Sequence, residues 1–222
     1  MEPPIHNFIL SHFAILIQNN FMYQKIENIF NFCEELVDGY DESHDLKHHI
    51  DVLKNAIIIY SDTKTVDTVK LFALIFYASM LHDTIDYKYP KNIEEKTKKL
   101  WNYLQLHIPN EWENIKWIIN NISYSKERDN GYPTHSDPIV QLARDIVSDA
   151  DKLEAIGEAG LRRCKIYTMA MNPDLSAEGI DKLVVEHCHD KLLKLRGEYI
   201  RTTLGKKLAE PKHQVIAEYV IK

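Results

Sequence analysis

An all-α fold follows from three observations. Apolar residues recur at intervals of three and four along most of the 222 residues, alternating runs are few, and glycine and proline number only 7 and 8. The predicted helices span about 4–19, 22–38, 44–61, 64–83, 92–106, 110–122, 138–152, 154–171, 176–196 and 202–221. The first, in MEPPIHNFILSHFAILIQNN, has an apolar centre but no basic leader and no small-residue cleavage site, so it reads as an amphipathic helix and not a signal peptide. Ser43 is placed to cap the third helix. Asp62 and Thr63 break the chain before the fourth, and Tyr89-Pro90 stops any continuation beyond it, because proline lacks an N–H and restricts its predecessor.

The fourth helix, VDTVKLFALIFYASMLHD, is apolar nearly all round from 71 to 81 except for Ser79. A helix of that kind packs on several sides, so it is expected at the centre, with His82 and Asp83 carried into the interior. Residues 123–137, SYSKERDNGYPTHSD, are polar and hold Asn130-Gly131 and Tyr132-Pro133, which predicts one long loop. Asn172-Pro173-Asp174 marks another turn, and Pro211 is expected to interrupt the last helix. The organisation expected is one domain over 1–222, with a core of about 22–210 and the helix 4–19 as an appendage.

A chain this long buries roughly 70% of its extended surface on folding and needs no staple to hold a core. Its net charge of −6 is a poor basis for nucleic-acid binding, which needs a basic face. No run reaches the roughly 18–20 apolar residues of a membrane span. Three cysteines, Cys33, Cys164 and Cys188, without a CxxC pair, argue against a disulfide framework and fit a reducing cytosol. His187 and His189 flank Cys188, but neighbours in sequence diverge on a helix. The expectation is a cytoplasmic monomer or homodimer that binds neither nucleic acid nor membrane.

Of eleven histidines, four stand at 44, 48, 49 and 82. On a helix His44 and His48 share a face. His82-Asp83 ends a buried helix, and Asp149-Ala150-Asp151 ends the apolar segment that begins at Ile139. Carboxylates buried beside histidines are costly unless paired or bound to a cation. Imidazole with carboxylate suits Zn, Mn, Fe, Co or Ni without choosing among them. Each feature alone also fits a polar helix end; their order and context carry the argument. The spacing of HDLKH is superficially that of the HExxH of zinc proteases, but Asp45 stands where that mechanism needs glutamate.

In that order, His48, then His82-Asp83, then Asp151 resemble the H…HD…D signature of HD-domain metal-dependent phosphohydrolases. HDLKHHIDV (44–52) resembles the family's first-ligand helix, and ASMLHDTIDYK (78–88) its HD segment. SDADKLEAIGEAGLRR (148–163) and HCHDKLLKLRGEYIRTTLGKKLAE (187–210) resemble two further blocks of one bacterial-type subgroup. The resemblance covers about residues 40–210. It implies a helical bundle with the metal between central helices. The implied reaction is hydrolysis of a phosphoester or phosphoanhydride, most often in a nucleotide, by a metal-activated water. The alternative is a nucleotide- or metal-sensing module that keeps the site without turnover.

Carried over residue by residue, His48, His82, Asp83 and Asp151 are the implied ligands of one divalent ion (Mn, Co, Ni, Fe, Zn or Mg). Asp151 is chosen over Asp149 because Lys152-Leu153 come directly after it. Asp149 is then expected to orient a ligand or a water. Asp86 is the expected general acid or base, and His44, Lys88, Lys152, Arg163 and Lys191 the expected phosphate donors. The chain departs from the subgroup at Asp51, where a basic residue is usual, at Lys152, where arginine is commoner, and at Glu158 and Arg162.

Overall fold

The computed structural model describes residues 20–41, 44–65, 67–85 and 89–221. The helix predicted over 4–19, the Ser43 cap, and the candidates Asp86 and Lys88 lie outside these residues. Among the described residues there are α-helices and short π-helical segments and no strands. The α-helices are α1 (Asn20–Leu36), α2 (Leu46–Ser61), α3 (Thr68–Leu81), α4 (Ile93–His107), α5 (Trp112–Asn120), α6 (Tyr124–Asn130), α7 (Pro138–Ala155), α8 (Gly157–Met171), α9 (Ala177–His187) and α10 (Thr203–Ile221).

Helix α3 is central, as its all-round apolarity requires. Leu71, Leu74, Ile75, Phe76, Ala78, Ser79, Met80 and Leu81 are buried. It packs against α2 and α7, which also pack on each other, and this three-helix core carries the site. α2 starts two residues later than expected because Asp45 caps it, its carboxylate accepting from His48 N at 3.0 Å. α3 is capped in the same way by Asp67, which accepts from Lys70 N at 3.0 Å. α7 opens with Asp137 accepting from Ile139 N at 2.8 Å and with Pro138 in its first turn, where a missing N–H costs nothing. Gly157, at φ +80°, turns α7 sharply into α8; a side chain there would be strained.

Three expectations are corrected. The polar stretch 123–137 is not one loop, since its first half forms α6. This helix has no apolar stripe; it is held by Glu127, whose carboxylate accepts from Arg144 Nη2 at 2.7 Å and from Arg201 Nη2. The helix predicted over 176–196 ends at His187 and continues as two π-helical segments, Cys188–Leu192 and Leu195–Tyr199. Pro211 lies inside α10 without ending it. Proline removes one donor, and packing of α10 on α7 and α8 holds the helix across the gap.

Candidate metal centre

Each member of the site comes from the end or flank of a core helix. His48 is in the first turns of α2, His82 and Asp83 follow the last residue of α3, and Asp151 is near the C-terminal end of α7. One ligand atom from each of these four side chains lies within 4.8 Å of all the others. The two imidazoles meet at His48 Nε2 to His82 Nε2, 3.2 Å. Asp151 Oδ1 is 3.7 Å from His48 Nε2 and 3.8 Å from His82 Nε2. Asp83 Oδ2 is 3.9 and 3.7 Å from the same two nitrogens. Metal–ligand bonds of about 2.0–2.2 Å put neighbouring ligand atoms about 3 Å apart and opposed ones about 4 Å apart. The four atoms therefore fit around one ion with little movement.

The local chemistry fits the same ion. His82 Nδ1 donates to the Ser79 carbonyl at 2.9 Å, which turns Nε2 onto the cluster. Ser79, the one polar residue in the apolar stretch of α3, therefore contributes through its backbone, a role its side-chain type does not announce. Burial holds His48 well below its usual pKa, with the neighbouring His82 adding to the effect, so it stays in the neutral form a metal needs. At His82 burial opposes the charge, but Asp83 and Asp151 outweigh it and raise the group to about 9. At Asp151 burial again opposes ionisation and is outweighed, here by His82 and His48, so the carboxyl lies far below the usual range.

Around the cluster, His44 lies before α2 and not on it, yet its Nε2 is 4.0 Å from Asp83 Oδ2. Its Nδ1 is 3.2 Å from the hydroxyl of Tyr89, a residue that the sequence marks only as a helix stop. Tyr40 donates to the carbonyl of Thr84, next to Asp83, at 3.0 Å. Arg163 Nη1 is 3.1 Å from His48 Nδ1, and its Nη2 donates to the Glu154 carbonyl. His49 is wholly buried, its ring centroid 4.9 Å from that of His82.

Lys152 and Asp149 make their bonds away from the four-residue cluster. Lys152 is buried and turned from the cluster, its ammonium bonded to Ser148 Oγ and to the Ile122 carbonyl and 3.5 Å from Glu127. The hydrogen bonds of Asp149 run to the turn before α10. Its Oδ1 accepts from Arg201 N at 2.8 Å, and its Oδ2 from Thr202 N and Thr202 Oγ1, both at 2.7 Å, so it ties α7 to the start of α10. Lys191 lies 5.3 Å from the Tyr124 ring centroid, in a π-helical segment.

No family model matches the chain. It is similar to the uncharacterized protein YpgQ of Bacillus subtilis, with 25% identity over 197 residues, 89% of this chain and 91% of that protein. The fold is shared with a crystal structure of YpgQ in complex with ADP, at TM-score 0.65 and 24% identity over 88% of this chain and 94% of that one. A protein from Lactobacillus plantarum superposes at TM-score 0.69, with 21% identity over 89% and 94% of the two chains. An HD-superfamily hydrolase from Bacillus thuringiensis superposes at 0.60, with 22% identity over 90% and 94%. The architecture is therefore that of an all-α HD-type fold.

Proposed function

We propose that this chain is a metal-dependent phosphohydrolase acting on a nucleotide. The observation that carries the reading is the cluster of His48, His82, Asp83 and Asp151, two imidazoles and two carboxylates converging at the C-terminal ends of α3 and α7 and the start of α2. The likeness in fold to an HD-superfamily hydrolase and to a protein crystallised with ADP supports the same reading. A divalent ion bound by these residues would polarise a phosphoryl oxygen and acidify a water.

The chain's own residues have three tasks in this scheme. Ser79 fixes the His82 ring through its carbonyl. Arg163, whose terminal nitrogens meet His48 Nδ1 and the Glu154 carbonyl, brings a fixed positive charge beside the cluster for phosphoryl oxygens, and His44 adds a further nitrogen next to Asp83. Asp86 is proposed, from the sequence, as the carboxylate that moves the proton of the attacking water or of the leaving oxygen, with Lys88 a further cation.

The test is a screen of nucleoside mono-, di- and triphosphates with Mn, Co, Ni and Mg, with released phosphate and pyrophosphate assayed separately. Hydrolysis that disappears with chelator and with His82→Ala is the expected result. Metal and ADP binding without turnover of any nucleotide would instead identify a sensing module.

A further inference from the structure

A groove of about 630 Å³ lies between the end of α1 and the start of α4. Ligand sites are commonly about 300–1,000 Å³. Tyr40 and Tyr89 form part of its wall, their rings stacked with centroids 3.9 Å apart, and Lys96 Nζ lies 4.2 Å over the other face of Tyr40. Both phenol hydroxyls are bonded towards the metal centre. Tyr40 reaches the carbonyl of Thr84, next to Asp83, and Tyr89 meets His44, whose far nitrogen is 4.0 Å from Asp83. The aromatic wall of the groove is thus anchored directly to the residues flanking the cluster.

The charges of the lining choose among occupants. Lys91, Lys96 and Lys99 face Glu35, Asp38 and Glu95, three charges of each sign. Lys99 is paired with Glu35. A phosphate tail needs a positive surplus, which this lining does not offer. A nucleoside asks for something else: an uncharged body with an aromatic base, hydroxyls that donate to carboxylates, and ring carbonyls that accept from ammonium groups. The groove offers tyrosine rings beside carboxylates and ammonium groups, as such a body requires.

We infer that the groove takes the base and sugar of the nucleotide whose phosphates lie at the metal. The inference rests on the nucleotide reading above and extends it to the second half of the substrate. Asp38 and Glu95 then accept from the sugar hydroxyls or the amino groups of the base, Lys91 donates to base or sugar oxygens, and Tyr40 and Tyr89 form the apolar wall.

Photolabelling with 8-azidoadenosine diphosphate in the presence of Mn tests it on the full chain. The label is expected in peptides covering 35–40 or 89–99 and is expected to be displaced by ADP. Labelling elsewhere, or labelling that ADP does not displace, overturns the inference. Asp38→Ala with Glu95→Ala should raise KM for the cleaved nucleotide about tenfold or more. Hydrolysis of inorganic tripolyphosphate, which has no nucleoside, should not change. Equal loss on both substrates also overturns it. If no nucleotide is hydrolysed but the label falls in the groove, the hydrolase reading fails and the groove assignment stands.

Discussion

Asp149 and Asp151 stand two residues apart on α7, and the same substitution at each should have different consequences. Asp149 is fully buried and accepts three hydrogen bonds, two of them from backbone N–H groups of the turn that starts α10. Asparagine keeps one accepting oxygen and turns its NH₂ towards groups that are themselves donors. At least one of these part-buried donors then loses its partner, at about 1–3 kcal/mol each. For one or two such losses the expected destabilisation is about 2–4 kcal/mol. In a chain of this size each kcal/mol shifts Tm by about 2–4 °C, so Asp149→Asn should lower Tm by roughly 5–15 °C. With saturating metal it should still bind one ion per chain. Asp151→Asn should lose the ion, because its oxygen is one of the four in the cluster.

The assays for this pair are calorimetry and metal content after gel filtration. Gly205 gives an independent check. A Cβ there would lie 2.7 Å from Asp149 Oδ2 and 2.6 Å from Thr202 Oγ1, so Gly205→Ala should reproduce the loss of stability without touching the metal. If Asp149→Asn loses the ion and Asp151→Asn keeps it, the ligand has been assigned to the wrong aspartate.

Three further outcomes are expected. Arg163→Ala should raise KM for a nucleotide substrate about tenfold or more while metal content holds, measured by steady-state kinetics beside elemental analysis. Asp86→Asn should keep metal and fold and lose about 10² to 10⁴ in kcat, whereas a near-normal kcat would remove Asp86 from the reaction. For Glu127, burial opposes ionisation, but Arg201 and Arg144 outweigh it and hold the carboxyl below its usual 4.5. The stability it contributes is present above that value and is lost as pH falls through the lower folded pKa. Glu127→Gln should therefore cost about 1–3 kcal/mol at pH 7, because buried Arg144 keeps Asp145 but loses its second carboxylate, and should flatten the acid limb of Tm against pH.

Much of the fold was legible because apolar periodicity is a local signal. α3 announced its central place through a run with no polar face, and the helices that pack on it through a stripe at threes and fours. α6 was hidden because SYSKERDN has no such stripe, and its anchor, Glu127, acts through Arg144 and Arg201, which lie 17 and 74 residues away. The four residues of the cluster were legible from the ordered H…HD…D blocks and do converge. Lys152 was misplaced because it is adjacent to Asp151, and adjacent residues on a helix point about 100° apart. α7 turns Asp151 to the cluster and Lys152 to the buried ion network behind it. Asp149 was misplaced for a different reason: its partners at 201 and 202 come from a turn that no local pattern connects to it.

The two sides of α7 differ in how their carboxylates are paired. Behind α7, Glu127 meets Arg144, Arg201 and Lys152, and Arg144 also bonds Asp145 at 3.0 Å, so every carboxylate there already has a cation from the chain. In front of α7, Asp83 and Asp151 face two imidazoles. Burial keeps one of these neutral, while the other is driven up to about 9 by the carboxylates themselves. Two carboxylates and one imidazolium leave a single negative charge, which the Arg163 guanidinium, 3.1 Å from His48 Nδ1, offsets. A divalent ion in place of the His82 proton would satisfy the nitrogen and oxygen lone pairs that converge there. The same helix thus presents carboxylates paired with the chain's own cations on one side and a set of ligand atoms able to hold an ion on the other.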